Sequence, residues 1–533
     1  MNRPNEVSPL SIWLDRAIIL WLFVFALFAP HSIAVTQGAW LLGSALWVIR
    51  FFVFPPPKIH RTPVDYALLA FFILTGLSAL LSYQPMVSIG KLRAASLFSI
   101  VYLFAENIPS RRVVRLLAVT LIASCMVNVF FTAGQRAIGR GVKVQVIMSG
   151  SPLAAAIFLR NRKPEAFPVL NGDTVLEVDG QAMGSAEQLA ESLAPLSGHP
   201  TAEVKIYRAE WMPVLKVPRG RLLAGTTAEE QLGIGGWTRG RDWRASGFYG
   251  HYVTYAEALQ LIASLALGLF IGVPAKRSRS GLLLLLALGG FAFALMLTVT
   301  RASWLAMLVS AALMLVLGTS RRTLLIVGAC LIPVVLAGLF VLHQKRNVGF
   351  LDQKDLSTTW RETVWHEGFD LLISKPRHLL VGVGMDSIKA HWRQWGLFDN
   401  GRLPMGHMHS NLLQLALERG VPALLAWLLV LGIYARTLWR SFRRLKPEAK
   451  DAGNSDRSEG EGEQTELDAG ALGAWVDRGI VLGALGGLAG FFTSGLVHYN
   501  WGDSEVVMIF YFIMGLGLVV YRKANSGDKL ADR

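Results

Sequence analysis

Apolar runs of roughly 17 to 25 residues, the length that crosses a bilayer as a helix, recur along this chain and leave a bundle of membrane helices as its expected architecture. They fall near 12–29, 36–54, 64–82, 88–105, 113–132, 250–273, 281–299, 302–318, 323–342, 421–435, 476–496 and 505–521, which predicts twelve spans. With 53% of 533 residues hydrophobic and 17% charged, the chain has more apolar surface than one or two water-soluble cores can hide. The expected fold class is an all-α polytopic membrane protein with one small α+β insert. No cleavable signal peptide is expected, because the first apolar run leads directly into a second.

The formal net charge of +15 does not describe a nucleic-acid surface, since the basic residues lie in short clusters between apolar runs. With the N-terminus in the cytoplasm, the clusters Arg50–Arg61, Arg111/Arg112/Arg115, Lys276/Arg277/Arg279, Arg321/Arg322, Arg436–Lys446 and the tail from Arg522 all fall on the cytoplasmic side, as the positive-inside bias requires. The chain then divides into helices one to five (1–133), an outer segment (134–248), helices six to nine (249–342) and a second outer segment (343–420). The tenth helix with its basic end (421–446), an acidic linker expected to be disordered (447–470), and the last two helices with the tail (471–533) complete it. Cys125 and Cys330 both lie in apolar runs and imply neither a disulfide framework nor a cysteine-based zinc site.

Within the first outer segment, residues 140–222 alternate apolar and polar in strand fashion at Val142–Val146 and Glu203–Tyr207, with a helical stretch from Ser185 to Leu193. The Asn171-Gly172-Asp173 and Val178-Asp179-Gly180 turns, together with Gly150-Ser151-Pro152-Leu153-Ala154, resemble a bacterial-type PDZ domain. That resemblance implies an extended peptide or protein partner added to a sheet edge; a docking or spacing role is the alternative.

Polar chemistry is concentrated in four places. The stretch Met405–Leu425 carries His407 and His409 beside a Ser410-Asn411 pair at a membrane edge, where an imidazole can act as a proton-transferring group; the alternative is an interfacial loop bonded to headgroups or backbone. Arg241 and Arg244 stand at the outer mouth of the sixth helix, against the inside-positive bias. A phosphate or pyrophosphate ligand would explain them, as would headgroup contact or an ion pair with Asp242. Arg301 interrupts two apolar runs, at about 2.5–3.5 kcal/mol on insertion scales if near mid-bilayer, so it is expected to have a partner or to snorkel. Lys91 and Arg93 pose the same question near the start of the fourth helix. In the second outer segment, Trp360, Val364 and Leu371-Leu372 have a helical period, which predicts an amphipathic surface helix, with a turn after it at Gly382 and Gly384. His366-Glu367 fails as a zinc motif because Asp370 occupies the place of the second histidine. There is no phosphate-binding loop with Lys-Ser/Thr to support ATP-driven transport.

Five stretches taken together resemble the O-antigen ligase and polymerase superfamily. They are Arg244–Tyr252, Thr300–Trp304, Gly382–Asp386, His407–Gln414 with Glu418-Arg419-Gly420, and His498–Glu505. The closing Asn-Trp-Gly-Asp-Ser-Glu loop favours the ligase branch. The resemblance implies transfer of a glycan from undecaprenyl pyrophosphate on the periplasmic face of the bacterial inner membrane, with inversion and without metal or other cofactor. It implies lipid A-core as acceptor, with another lipid-linked glycan (a polymerase) or a protein as alternatives. His409 matches the catalytic position, with His407 a second candidate. Arg244 and Arg301 match positions associated with the donor pyrophosphate, and Asp503 and Glu505 are candidates to orient the histidine or to bind sugar hydroxyls, with pairing to the arginines as the alternative. A non-catalytic PDZ-bearing membrane adaptor is the reading from a different class.

Overall fold

The computed structural model describes residues 8–160, 163–208, 212–346, 356–403, 405–445 and 461–525. Ten helices among these are long and apolar enough to cross a membrane. Two further expected spans are occupied by helices of other character. Asp65–Leu80 has 16 residues, shorter than the run at 64–82, because Leu81 leaves helical geometry ahead of Ser82 and Tyr83. Arg321–Arg346 is a 26-residue helix containing Pro333. The fourth span is broken: Pro85–Ala95 passes through a tighter turn at Ser96–Phe98 into Ser99–Asn107.

Three helices make the centre of the bundle: Tyr252–Gly272, the membrane part of Glu461–Gly495, and Ser504–Asn525, each mostly buried across its apolar window. The first two approach closely because small residues face each other. A methyl group at Gly268 would collide with the backbone of Gly479 and Gly483, so the absence of side chains there is what lets dispersion contacts form along the seam. Phe25, Phe104 and Phe512 pack edge-on and stacked around the other side of the core.

Three of the basic clusters, those around 60, 111 and 522, meet at one end of this bundle. His60 and Arg522 both lie against Glu106, at 2.8 and 3.6 Å, and Arg111 donates to the carbonyl of Lys523. Asp503, Ser504 and Glu505 lie at the opposite end of the Ser504–Asn525 helix, on the side that carries both long polar segments.

The α+β insert has its own core, built on Val144, Val175, Leu189, Val204 and Ile206. Its strands are β1 (Val142–Ile147), β2 (Ile157–Arg160), β3 (Lys163–Ala166), β4 (Thr174–Val178), β5 (Gln181–Ala182), β6 (Thr201–Tyr207), β7 (Val214–Pro218) and β8 (Ile234–Arg239). They form an antiparallel sheet ordered β3-β2-β7-β6-β4-β1-β8, with β5 paired to β4. The unit therefore runs past the expected boundary at 222 to Arg239. The reason is nonlocal: β8 pairs with β1 along Val142–Ile147, some ninety residues earlier, and the short helix Ala228–Leu232, closed by a Thr227–Glu230 capping box, delivers it there.

The second polar segment also has a small core, in which Val364, Leu371, Val383, Phe398, Met408 and Leu417 meet. The expected helix forms as Leu356–Ile373 and turns its apolar side to that core. Residues 461–470, expected within a disordered linker, are the first turns of the Glu461–Gly495 helix. The rest of that linker, 447–460, lies outside the described residues.

Candidate functional site

A cavity of about 430 Å³ opens where the second polar segment meets the bundle, lined by His407, His409, Lys91, Asp503 and Glu505 among the expected residues. Its size is in the range of small-ligand pockets. Four segments distant in sequence build it, and their connections explain how.

The His409 loop is held from both sides. Trp365 Nε1 donates to the carbonyl of Met408 at 2.8 Å, and the Met408 N–H donates to Gln414 Oε1 at 2.7 Å. Between these clamps His409 adopts φ +45°, a left-handed conformation that a non-glycine residue takes only when its surroundings impose it. Asn411, one residue after Ser410, reaches the last outer loop: its Nδ2 donates to Asn500 Oδ1 at 2.6 Å and its Oδ1 accepts from the Trp501 N–H at 3.1 Å. This double bond of amide to loop brings His498 to within 6.3 Å of His409, ring centre to ring centre.

His409 packs edge-on against Trp360 at 4.6 Å and lies 4.3 Å from the His407 ring. Its Nδ1 is buried with no hydrogen-bond partner. Burial, then the neighbouring imidazoles and the charge of Arg361, hold its pKa far below the usual value, at about 2. Burial followed by the charge of Lys389 lowers His407 to about 4, and burial with Arg361 lowers His498 to about 3. Burial thus favours the neutral form of all three rings.

The opposite wall is ionic. Asp386, at φ +60°, pairs with Lys91 at 2.6 Å and Lys389 at 3.0 Å. Burial pushes its carboxyl upward, but the hydrogen bonds from the two lysines outweigh this and hold its pKa below the ordinary range. Buried Glu418 accepts from the Asp386 N–H at 3.1 Å. Asp503 accepts from Thr254 Oγ1 at 2.5 Å.

The arginines are arranged differently from one another. Arg244 donates to the carbonyls of Thr298 and Val299 at 2.9 and 2.6 Å and lies 3.5 Å over the Tyr252 ring. It clamps the turn that leads into Arg301. Burial lowers its pKa, and the positive charge of Arg301 acts in the same direction. Neither Arg244 nor Arg301 lines the cavity, although the charge of Arg244 is felt at His251 and His498. Arg241 and Arg93 are exposed and outside it.

Several lining or neighbouring groups are given no site role by the sequence: His251, Asp386, Glu418 and His498, which lie within the stretches that carry the family resemblance, and Arg361 and Glu257, which do not. Glu257 had a signal, since a carboxylate inside the apolar run 250–273 is costly and asks for a partner. That partner is His498, whose Nδ1 is 3.1 Å from Glu257 Oε1. Glu367 caps the left-handed turn at Phe398–Asn400 by accepting from the Phe398 and Asp399 N–H groups at 2.6 and 2.8 Å. Among the described residues no group of three or more His, Cys, Asp or Glu is placed to hold a metal ion.

Residues 282–428 match the model of the O-antigen ligase family. The match begins in the helix before Arg301, includes both cavity histidines at 407 and 409, and ends in the Val421–Arg444 helix. No curated relative matches the sequence.

Proposed function

We propose that the protein is a glycosyltransferase of the O-antigen ligase type, moving a glycan from undecaprenyl pyrophosphate to lipid A-core on the periplasmic face of the bacterial inner membrane, with inversion and without metal. The observation that carries this reading is His409: an imidazole whose buried Nδ1 has no hydrogen-bond partner among the described residues, held at a strained backbone position inside a cavity with cationic and carboxylate walls, within the segment that matches the family. The collection of three basic clusters at the opposite end of the bundle supports the sidedness.

Transfer from a lipid pyrophosphate starts with a good leaving group. The protein's tasks are to position the acceptor hydroxyl, take up its proton and offset charge on the departing pyrophosphate. His409 and His407 are the candidate proton acceptors. Arg244 and Arg301 form the donor side in this reading, with Lys91 a further cation and Arg361 adding positive charge near His409. Asp503 and Glu505 offer acceptors for sugar hydroxyls. Rings made poorly basic by burial gain basicity when a pyrophosphate brings negative charge beside them, which couples proton uptake to donor binding. The α+β insert, read as PDZ-like, offers β3 and β8 as sheet edges for an extended peptide.

The test is transfer by purified protein in vesicles holding an undecaprenyl-pyrophosphate glycan and lipid A-core. We expect glycan on lipid A-core, lost in His409→Ala at unchanged membrane abundance. A product lengthened on undecaprenyl pyrophosphate instead would make the chain a polymerase, and full transfer by His409→Ala would remove that residue from the mechanism.

A further inference from the structure

The pair Glu257–His498 lies beside His409, with the His498 and His409 ring centres 6.3 Å apart, and has no part in the mechanism above. Both residues line the cavity, both are buried, and Nδ1 of His498 meets Glu257 Oε1 at 3.1 Å. No described group bonds the other ring nitrogen, Nε2. Taking a carboxylate and an imidazole out of water is seldom repaid in stability by their pairing alone, so a reason for the pair is to be sought in the cavity it faces. Its loop is placed with care: Asn500 donates to the Phe491 carbonyl at 3.0 Å and to Ser494 Oγ at 2.8 Å while accepting from Asn411 at 2.6 Å.

From this geometry we infer that His498, oriented by Glu257, takes the proton of the acceptor hydroxyl in place of His407 or His409, which leaves His409 to position that hydroxyl. The inference rests on the glycosyltransferase reading. Where the Glu257 carboxylate accepts from Nδ1–H of His498 across this 3.1 Å contact, the ring proton is held on Nδ1 and Nε2 keeps its lone pair free for the cavity. That is the arrangement by which a carboxylate fixes tautomer and orientation in hydrolytic triads. Nδ1 of His409, by contrast, is buried with no hydrogen-bond partner among the described residues. In the step, an oxygen lone pair of the acceptor hydroxyl forms the bond to the anomeric carbon. The bond from that carbon to the pyrophosphate oxygen breaks, and its electron pair leaves with the pyrophosphate. The hydroxyl proton passes to Nε2 of His498, and the imidazolium later returns it to water at the cavity mouth. Glu257 never touches the substrate; it is a positioning residue that keeps the ring in its tautomer and steadies the imidazolium.

The experiment compares wild type, His498→Gln, His498→Ala and Glu257→Gln in the vesicle assay, with melting temperature and membrane abundance measured alongside. Removal of a general base costs about a hundredfold or more in rate, so His498→Gln and His498→Ala are expected to lose at least that, with the donor KM little changed. Glu257→Gln is expected to lose at least tenfold in kcat, again without a matching rise in KM. Added imidazole is expected to restore transfer to His498→Ala and not to His409→Ala. Folded His498 variants that keep more than a third of the wild-type rate overturn the dyad and leave the glycosyltransferase reading standing. So does a Glu257→Gln loss confined to melting temperature or KM, or a failure of imidazole to rescue folded His498→Ala. A wild-type protein that transfers nothing from the lipid pyrophosphate overturns both.

Discussion

Gly384→Ala tests whether the ionic wall of the cavity depends on a single backbone position. Gly384 adopts φ +98°, where an L side chain is strained by about 1–3 kcal/mol. A methyl group there would also fall within the radius of Ser82 Oγ and Cβ and press on Ser387 Oγ. Ser82 cannot move freely. Its hydroxyl bonds Ser88 Oγ at 2.7 Å and Ser387 Oγ at 2.9 Å in a buried network, and Ser88 in turn bonds the Met385 carbonyl at 2.9 Å. Losing one or two of those bonds adds about 1–3 kcal/mol for each group left unsatisfied. The expected total is about 3–6 kcal/mol, large against the stability of most domains. Because Asp386 is two residues away, the distortion should also loosen its pairing with Lys91 and Lys389. Melting in detergent and transfer in vesicles are the assays, with Gly432→Ala as control: Gly432 is exposed in the middle of the Val421–Arg444 helix and its added methyl meets nothing within 4 Å. The control should be neutral or gain up to about 1 kcal/mol. A Gly384→Ala protein that melts within a degree or two of wild type and transfers normally would refute the reasoning.

Three other outcomes are expected. Gln414→Leu leaves the Met408 N–H without its acceptor, a loss of about 1–3 kcal/mol that should lower kcat by freeing the His409 backbone; Gln414→Glu should restore it, and equal loss in both would point to packing alone. His407 has a folded pKa of about 4, below its ordinary value, so the unfolded chain binds the extra proton and stability falls as pH drops from about 6.5 to about 4, by on the order of 3 kcal/mol. His409 and His498 add slopes of the same sign, so His407→Asn should lessen the slope in melts across this range without abolishing it. Arg244→Lys keeps the charge but cannot hold the Thr298 and Val299 carbonyls while covering Tyr252; transfer should fall at least tenfold, and a wild-type rate would show that the fork geometry is dispensable.

What the amino-acid order determined by itself is what local periodicity carries. Apolar length predicted the helices, since each span satisfies its own backbone within one segment. Strand alternation and turns at Asn171–Asp173 and Val178–Gly180 marked the insert. The histidines and the carboxylates at Asp503 and Glu505 were legible because polar groups at the edge of apolar runs are conspicuous. Tertiary structure alone decided which of these meet. The insert's far edge depends on β8 finding β1, a pairing no local pattern encodes. Arg244 and Arg301 have the same charge and a similar position in sequence, yet only the fold shows Arg244 bonded to the carbonyls of the turn before Arg301. Lys91 reaches the cavity while Arg93, two residues on, does not, because helical rotation sends them apart. His498 finds Glu257 across 241 residues, through an amide bridge between Asn411 and Asn500. Burial and charge at a cavity are sums over neighbours in space, and a linear order does not contain those neighbours until the chain has folded.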